Sequence, residues 1–296
     1  MISIALGLVV LGALFAIYIS TQVSSRQATS VARMDEDAAV ALSVIGLQLR
    51  MAGFSIPRVF AAPGAATVNG ASVPTPDRNF SGAGVRACDR GFVDPTVDFD
   101  LLACAPGSTG AAALAIRFEG ADPDDIPSVQ ALLPPARDCL NQAVGANATG
   151  ALGVPYTLIE SRYQVRIGAR TGTPELYCGG NGSKIAYQSQ AILQYVEDMT
   201  VGFGIADDGQ SKAVERYVDD AASVEALPGS VDQRWSRVVS VKLCIVLRSG
   251  DPSPDAAGSY LDCRGKVAPS SDHLIRRAYS SVFTLRNRGG FAATAP

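Results

Sequence analysis

The chain opens Met1-Ile2-Ser3-Ile4-Ala5-Leu6-Gly7-Leu8-Val9-Val10-Leu11-Gly12-Ala13-Leu14-Phe15-Ala16-Ile17-Tyr18-Ile19-Ser20-Thr21-Gln22-Val23-Ser24-Ser25, a stretch without Asp, Glu, Lys or Arg. As an α-helix, its 25 residues rise about 37 Å, enough to cross a hydrocarbon core, so a single transmembrane anchor is expected. A cleaved secretory signal would need a basic start and a small-x-small cleavage site, and neither is present. The helical pattern does not stop at Ser25. Val31, Met34, Ala38, Ala41, Ile45 and Ala52 recur at three- and four-residue spacing, while Arg26, Arg33, Asp35, Asp37, Gln48 and Arg50 fall largely off that stripe. Gly53 and Pro57 supply the stop. One helix of about 52 residues is predicted, apolar in its first half and amphipathic in its second.

Past the helix the pattern changes. Residues 53–110 are rich in Gly and Pro, with turn dipeptides Pro63-Gly64 and Asn69-Gly70, and read as loops with short strands. Strand-like runs follow at Ala113 to Phe118, Tyr156 to Ile167, Ile192 to Ile205, Val238 to Leu247 and His273 to Asn287. In the run from Val238, the residues Val239, Val241, Leu243, Ile245 and Leu247 alternate with Val238, Ser240, Lys242, Cys244 and Val246, which predicts a single core face. The expected fold class is α+β, one long helix packed on a β-rich head. Residues 1–25 form the apolar half of the helix, 26–53 its amphipathic half, and 54–296 the head.

The composition averages these two parts. Over 296 residues, 47% are hydrophobic and 18% charged, with mean hydropathy +0.17. All 25 basic and 28 acidic residues lie beyond Ser25, and a formal net charge of -3 argues against a polyelectrolyte role, so no nucleic-acid partner is expected. The six cysteines, Cys88, Cys104, Cys139, Cys178, Cys244 and Cys263, are even in number and include no C-x-x-C pair, as suits disulfides in an oxidising compartment. Fifteen connectivities exist for six cysteines; we expect the neighbours to pair, Cys88 with Cys104, Cys139 with Cys178 and Cys244 with Cys263. Orientation is contested. Arg26 and Arg33 follow the apolar run and by the positive-inside rule would hold the remainder in the cytoplasm, against the cysteines.

An apolar helix running into an amphipathic half and then a disulfide-bearing β-rich head resembles the type IV pilins. Local segments narrow this. Arg33-Met34-Asp35-Glu36 followed by Leu49-Arg50-Met51-Ala52-Gly53-Phe54 resembles the end of the long helix in PilW-type minor pilins. Val196 to Met199 with Val201 to Ile205 and Arg216 to Val218 is similar to the family's central strand pair. Trp235 to Val239 opens a strand that ends at Leu247-Arg248-Ser249, and Arg277 to Arg288 is similar to the closing strand. The resemblance implies a minor pilin that waits in inner-membrane lipid with its head in the periplasm. It then joins other minor pilins and the major pilin through Ile2, Ile4, Ala5, Leu6, Gly7, Leu8, Val9, Leu11, Gly12, Leu14 and Phe15, to prime a surface pilus near its tip, with a tip adhesin as a further partner. The J-type pseudopilins of type II secretion share this layout and remain an alternative, as does a membrane-anchored periplasmic binding protein or enzyme. Prepilins also carry a short basic leader, a Gly followed by Phe or Met, and a Glu at the fifth mature position. None of these precedes Ile2, so the natural start is expected upstream, where a basic leader would resolve the orientation conflict.

Catalysis finds little footing. Gly179-Gly180-Asn181-Gly182-Ser183-Lys184 lacks the phosphate-loop spacing and reads as a hairpin turn. The one histidine, His273, adjoins Asp272, but neighbours on a strand point to opposite faces and imply no triad. No enzyme and no cofactor are expected. The acidic loops at Asp122, Asp124 and Asp125, at Asp207-Asp208 and at Asp219-Asp220 lack the EF-hand pattern and read as solvated turns; of these, Asp207 and Asp208 are the calcium candidates. The basic C-terminal stretch with Arg264, Lys266, Arg276, Arg277, Arg286 and Arg288 reads as a strand edge guarded by charge.

Overall fold

A computed structural model describes residues 2–58, 66–68, 71–73, 77–80, 82–107, 109–121, 133–149, 155–182, 187–207, 213–254 and 256–287. A single helix, Ile2–Met51, contains no proline and runs 50 residues. Two of its threonines turn inward on the backbone, Thr21 Oγ1 donating to the Ile17 carbonyl at 2.8 Å and Thr29 Oγ1 to that of Ser25 at 2.9 Å. It ends where Gly53 adopts φ 73°, and the Phe54 amide closes on the Met51 carbonyl at 2.9 Å.

The head is built from antiparallel strands. Four short ones, β1 (Pro57–Arg58), β2 (Ala66–Val68), β3 (Ala71–Val73) and β4 (Asp77–Arg78), fall in the Gly/Pro-rich segment. Then come β5 (Val85–Cys88), β6 (Ala113–Gly120), β7 (Ala148–Thr149), β8 (Pro155–Ile167), β9 (Pro174–Gly180), β10 (Gln188–Gln194), β11 (Val196–Ile205), β12 (Arg216–Val218), β13 (Val238–Arg248), β14 (Ser259–Leu261), β15 (Val267–Pro269) and β16 (Arg276–Thr284). One sheet has the order β10-β9-β8-β6-β5, with β7 beside β8; the other has the order β12-β11-β13-β16. The helix packs on both, and its buried face of Met34, Ala38, Ala41, Ile45, Leu49 and Ala52 joins the core residues Leu114, Ile116, Phe118, Phe203, Leu243 and Phe283. A second cluster, Phe92, Phe99 and Leu102, lies against Ala113 and Ala115, so β6 is buried along its whole length.

Three sequence expectations need correction. The run Ile192 to Ile205 is two strands, because Tyr195 takes φ 62° and passes the chain from the edge of one sheet into the other. The strand β13 has two buried faces rather than one: it lies between β11 and β16, Val241, Leu243, Ile245 and Leu247 enter the main core, and Ser240, Cys244 and Val246 are buried behind, leaving Lys242 exposed. Gln48 belongs to the buried face of the helix, where its Oε1 accepts from the Tyr163 hydroxyl at 2.9 Å. Burial drives the Tyr163 hydroxyl far above the ordinary tyrosine range, so it remains a donor.

Candidate functional site

The long helix is covered by the head only from about Met34 onward. Before that, Ile4, Leu8, Leu11, Leu14 and Phe15 are 57–70% exposed, and Val10, Ile17, Tyr18 and Ile19 are exposed with them. Gly7 and Gly12 have open space where a side chain would project. The side chains of Ile2, Ala5, Leu6 and Val9 lie outside the described residues. The result is an apolar rod of about 36 Å, from Ile2 to Ser25, standing free of the head. A monomeric soluble surface seldom exposes a continuous apolar patch of this extent, and such patches mark association or lipid contact. Among the described residues, however, no helix is long and apolar enough to cross a membrane.

Specific side chains fix the second half of the helix to the head. The Tyr279 hydroxyl on β16 donates to Asp35 at 2.6 Å, and Arg277 lies 3.5 Å from the same carboxylate. Asn287 Nδ2 reaches the Arg50 carbonyl at 2.9 Å. Burial and the bond to Asp35 raise the Tyr279 hydroxyl above the ordinary tyrosine range, keeping it a donor. Phe283 lies against Gly46, where a β-carbon would collide with its ring.

The remaining sequence candidates do not converge on a reaction centre. His273 sits in a turn at φ 58°, not on a strand, and β16 begins at Arg276 rather than at His273. Asp272 instead accepts from Arg276 at 2.6 Å and 2.7 Å, while Glu197 holds the other side of that guanidinium at 2.6 Å and 2.8 Å. The Gly179-Gly180-Asn181 segment ends β9 and opens the connection to the antiparallel β10. Asp220 caps the short helix Ala221–Glu225, accepting from the Ser223 amide at 2.6 Å. Asp207 is exposed; Asp208, Asp122, Asp124, Asp125 and Arg288 lie outside the described residues. Among the described residues no group of three or more His, Cys, Asp or Glu is placed to hold a metal. The bridges are Cys88–Cys104, Cys139–Cys178 and Cys244–Cys263.

One node escaped sequence reasoning. The buried Arg117 guanidinium lies over the rings of Phe80 and Phe99, at 4.7 and 4.2 Å, donates to the Ala83 carbonyl at 2.7 Å and pairs with Asp100 at 2.8 Å. Glu119, two residues along, accepts from Ser55 Oγ, the Ile56 amide and Asn79 Nδ2. These buried charges are fully occupied in binding loops to β6 and leave nothing for catalysis.

Three of the strands that contact the helix, β10, β13 and β16, lie in one recognisable segment. Residues 162–287 match the Type IV Pilus-assembly protein W family. The match runs from β8 through β16 and takes in the β11–β12 pair, registered Phe203 to Val218, that the sequence resemblance singled out. A solved structure, a type IV-like pilin from Thermus thermophilus, is 11% identical, covers 87% of this chain and 98% of its own, and has a TM-score of 0.43. No curated protein matches the sequence. The architecture expected of a pilin, one long helix on a disulfide-bearing β-rich head, is the one this chain adopts. The matched family is a pilus-assembly family, a structural rather than an enzymatic class.

Proposed function

We propose that this protein is a minor pilin that joins other minor pilins and the major pilin through its apolar half-helix and primes assembly of a type IV pilus near the tip. The observation that carries this reading is the uncovered apolar rod above the head, with Ile4, Leu8, Leu11, Leu14 and Phe15 all exposed. In lipid, a helix satisfies its own backbone, so the rod can wait in the inner membrane with the head in the periplasm. On assembly it exchanges lipid for neighbouring helices, and Gly7 and Gly12 allow close backbone approach. The family match supports membership of a pilus system, and the disulfides suit a head outside the cytoplasm. A calcium role for Asp207 and Asp208 stays secondary; calorimetric titration without heat would dispose of it.

The test is genetic. A deletion strain is complemented with the parent or with Leu11→Asp, Leu14→Asp, substitutions far from the head. Surface pili and twitching should return with the parent and fail with the variant, while the variant's head keeps its disulfides. Normal piliation of the deletion strain with blocked exoprotein secretion would move the protein to the type II pseudopilins and overturn the pilus reading.

A further inference from the structure

A disulfide-pinned loop on each sheet of the head carries charge and uncovered apolar side chains, and the two loops are opposite in sign. The first, residues 91–102, is fastened to β5 by Cys88–Cys104 and holds Asp94, Asp98 and Asp100 but no Lys or Arg. Val93 and Leu101 within it are 62% and 69% exposed, although Phe92, Phe99 and Leu102 beside them are buried against Ala113 and Ala115. Asp94 accepts from the Thr96 amide and hydroxyl, Asp98 caps no amide, and both are exposed. The second loop is the β14–β15 hairpin, fastened to β13 by Cys244–Cys263. Its Leu261 and Val267 are direct cross-strand partners, 61% and 72% exposed. Asp262 folds back on the turn and accepts from the amides of Arg264 and Lys266 at 2.8 Å, while the side chains of Arg264 and Lys266 stay exposed at the tip. Each loop lies behind its own sheet, away from the core that both sheets share: Ala113 and Ala115 alternate with the core residues Leu114 and Ile116, and Cys244 with Leu243 and Ile245. One exposed apolar residue is ordinary, but an apolar pair on a rigid loop beside charge of one sign is what a docking patch needs, since little side-chain and loop freedom is left to lose.

We propose that the β14–β15 hairpin of one copy docks on the 91–102 loop of a second copy of this chain. Leu261 and Val267 cover Val93 and Leu101, and Arg264 and Lys266 come to face Asp94 and Asp98. Charge complementarity selects a second copy as the occupant, because the acidic loop and the basic hairpin, each with two uncovered apolar side chains, are both carried by one chain. At a formal net charge of -3 whole copies repel one another, so the opposed patches set the orientation in which they meet. Two different patches are joined, so the contact does not close on itself and extends into a row of copies. A contact this small is weak in dilute solution and gains weight where copies are already held together. It belongs to the head and is independent of the pilus reading.

The six native cysteines are all bridged, so an added thiol is unique. The full chain carrying Leu261→Cys and the full chain carrying Val93→Cys, each with its own tag, are mixed in detergent micelles and treated with a short bismaleimide. The mixed pair should cross-link about tenfold more than either variant with itself, because the joined patches differ. Lys266→Glu on the Leu261→Cys chain should cut that yield about tenfold, and Asp98→Lys on its partner should restore it. Circular dichroism reports the fold of each variant; if Asp98→Lys fails to fold, the fall in yield of the mixed pair from low to high salt carries the charge test. Equal yields in all three pairings would show association through the rods alone and overturn the contact. An absent cross-link, or a yield indifferent to both Lys266→Glu and salt, would overturn it as well.

Discussion

Gly46 has no side chain because the ring of Phe283 occupies the place where one would project. Glycine costs a helix interior about 1 kcal/mol relative to alanine, so its presence there is offset by the close approach of β16. Gly46→Ala should therefore destabilise the head by about 1–3 kcal/mol despite its better helix propensity, and urea unfolding will read the loss. Stabilisation would contradict the contact. A second residue-level prediction concerns Asp272. Its hydrogen bonds from Arg276 hold that carboxyl well below the usual carboxylate range. A depressed folded value means that the stabilisation is complete above the unfolded value of about 3.9 and is lost as pH falls through the folded one. Asp272→Asn should thus be less stable than the parent at about pH 6, and the difference should close under strong acid.

Among the elements, the bridges are not equivalent. Cys139–Cys178 spans 39 residues and fastens the 133–149 segment to β9, whereas Cys88–Cys104 spans 16 and Cys244–Cys263 spans 19. In the chain-entropy model the longest loop gains about 1 kcal/mol over the shortest. Replacing each pair by serine and comparing denaturation midpoints should rank Cys139–Cys178 first. The strand β13 explains why a pattern of alternation misled: period two describes a sheet with one wet face, whereas here Cys244 is bridged to Cys263 and Val246 is buried on the face away from the main core. The run through Tyr195 misled for a different reason. Its apolar content favours a strand on either side, and only a left-handed φ at a bulky residue divides them.

For the whole molecule, the head and the rod separate cleanly, since residues before Met34 contribute no side chain to the main core cluster. Removing residues 1–25 should leave the three disulfides and the unfolding midpoint nearly unchanged and abolish association with micelles; sedimentation of both chains in detergent and in buffer checks this. A truncated chain that loses its cooperative unfolding would show that the rod supports the head.

The sequence by itself determined the long helix, its Gly53 stop, its free apolar half and its β-rich, six-cysteine head, because these follow from local composition, periodicity and capping. Tertiary structure alone decided that Gln48 turns inward to Tyr163, 115 residues away, that Arg117 lies between Phe80 and Phe99, and that Gly46 receives Phe283. It also decided that Arg26 and Arg33 face a loop more than 200 positions along the chain. Such contacts join residues far apart in the chain, and their energy depends on what the fold brings opposite each side chain, which no local pattern records.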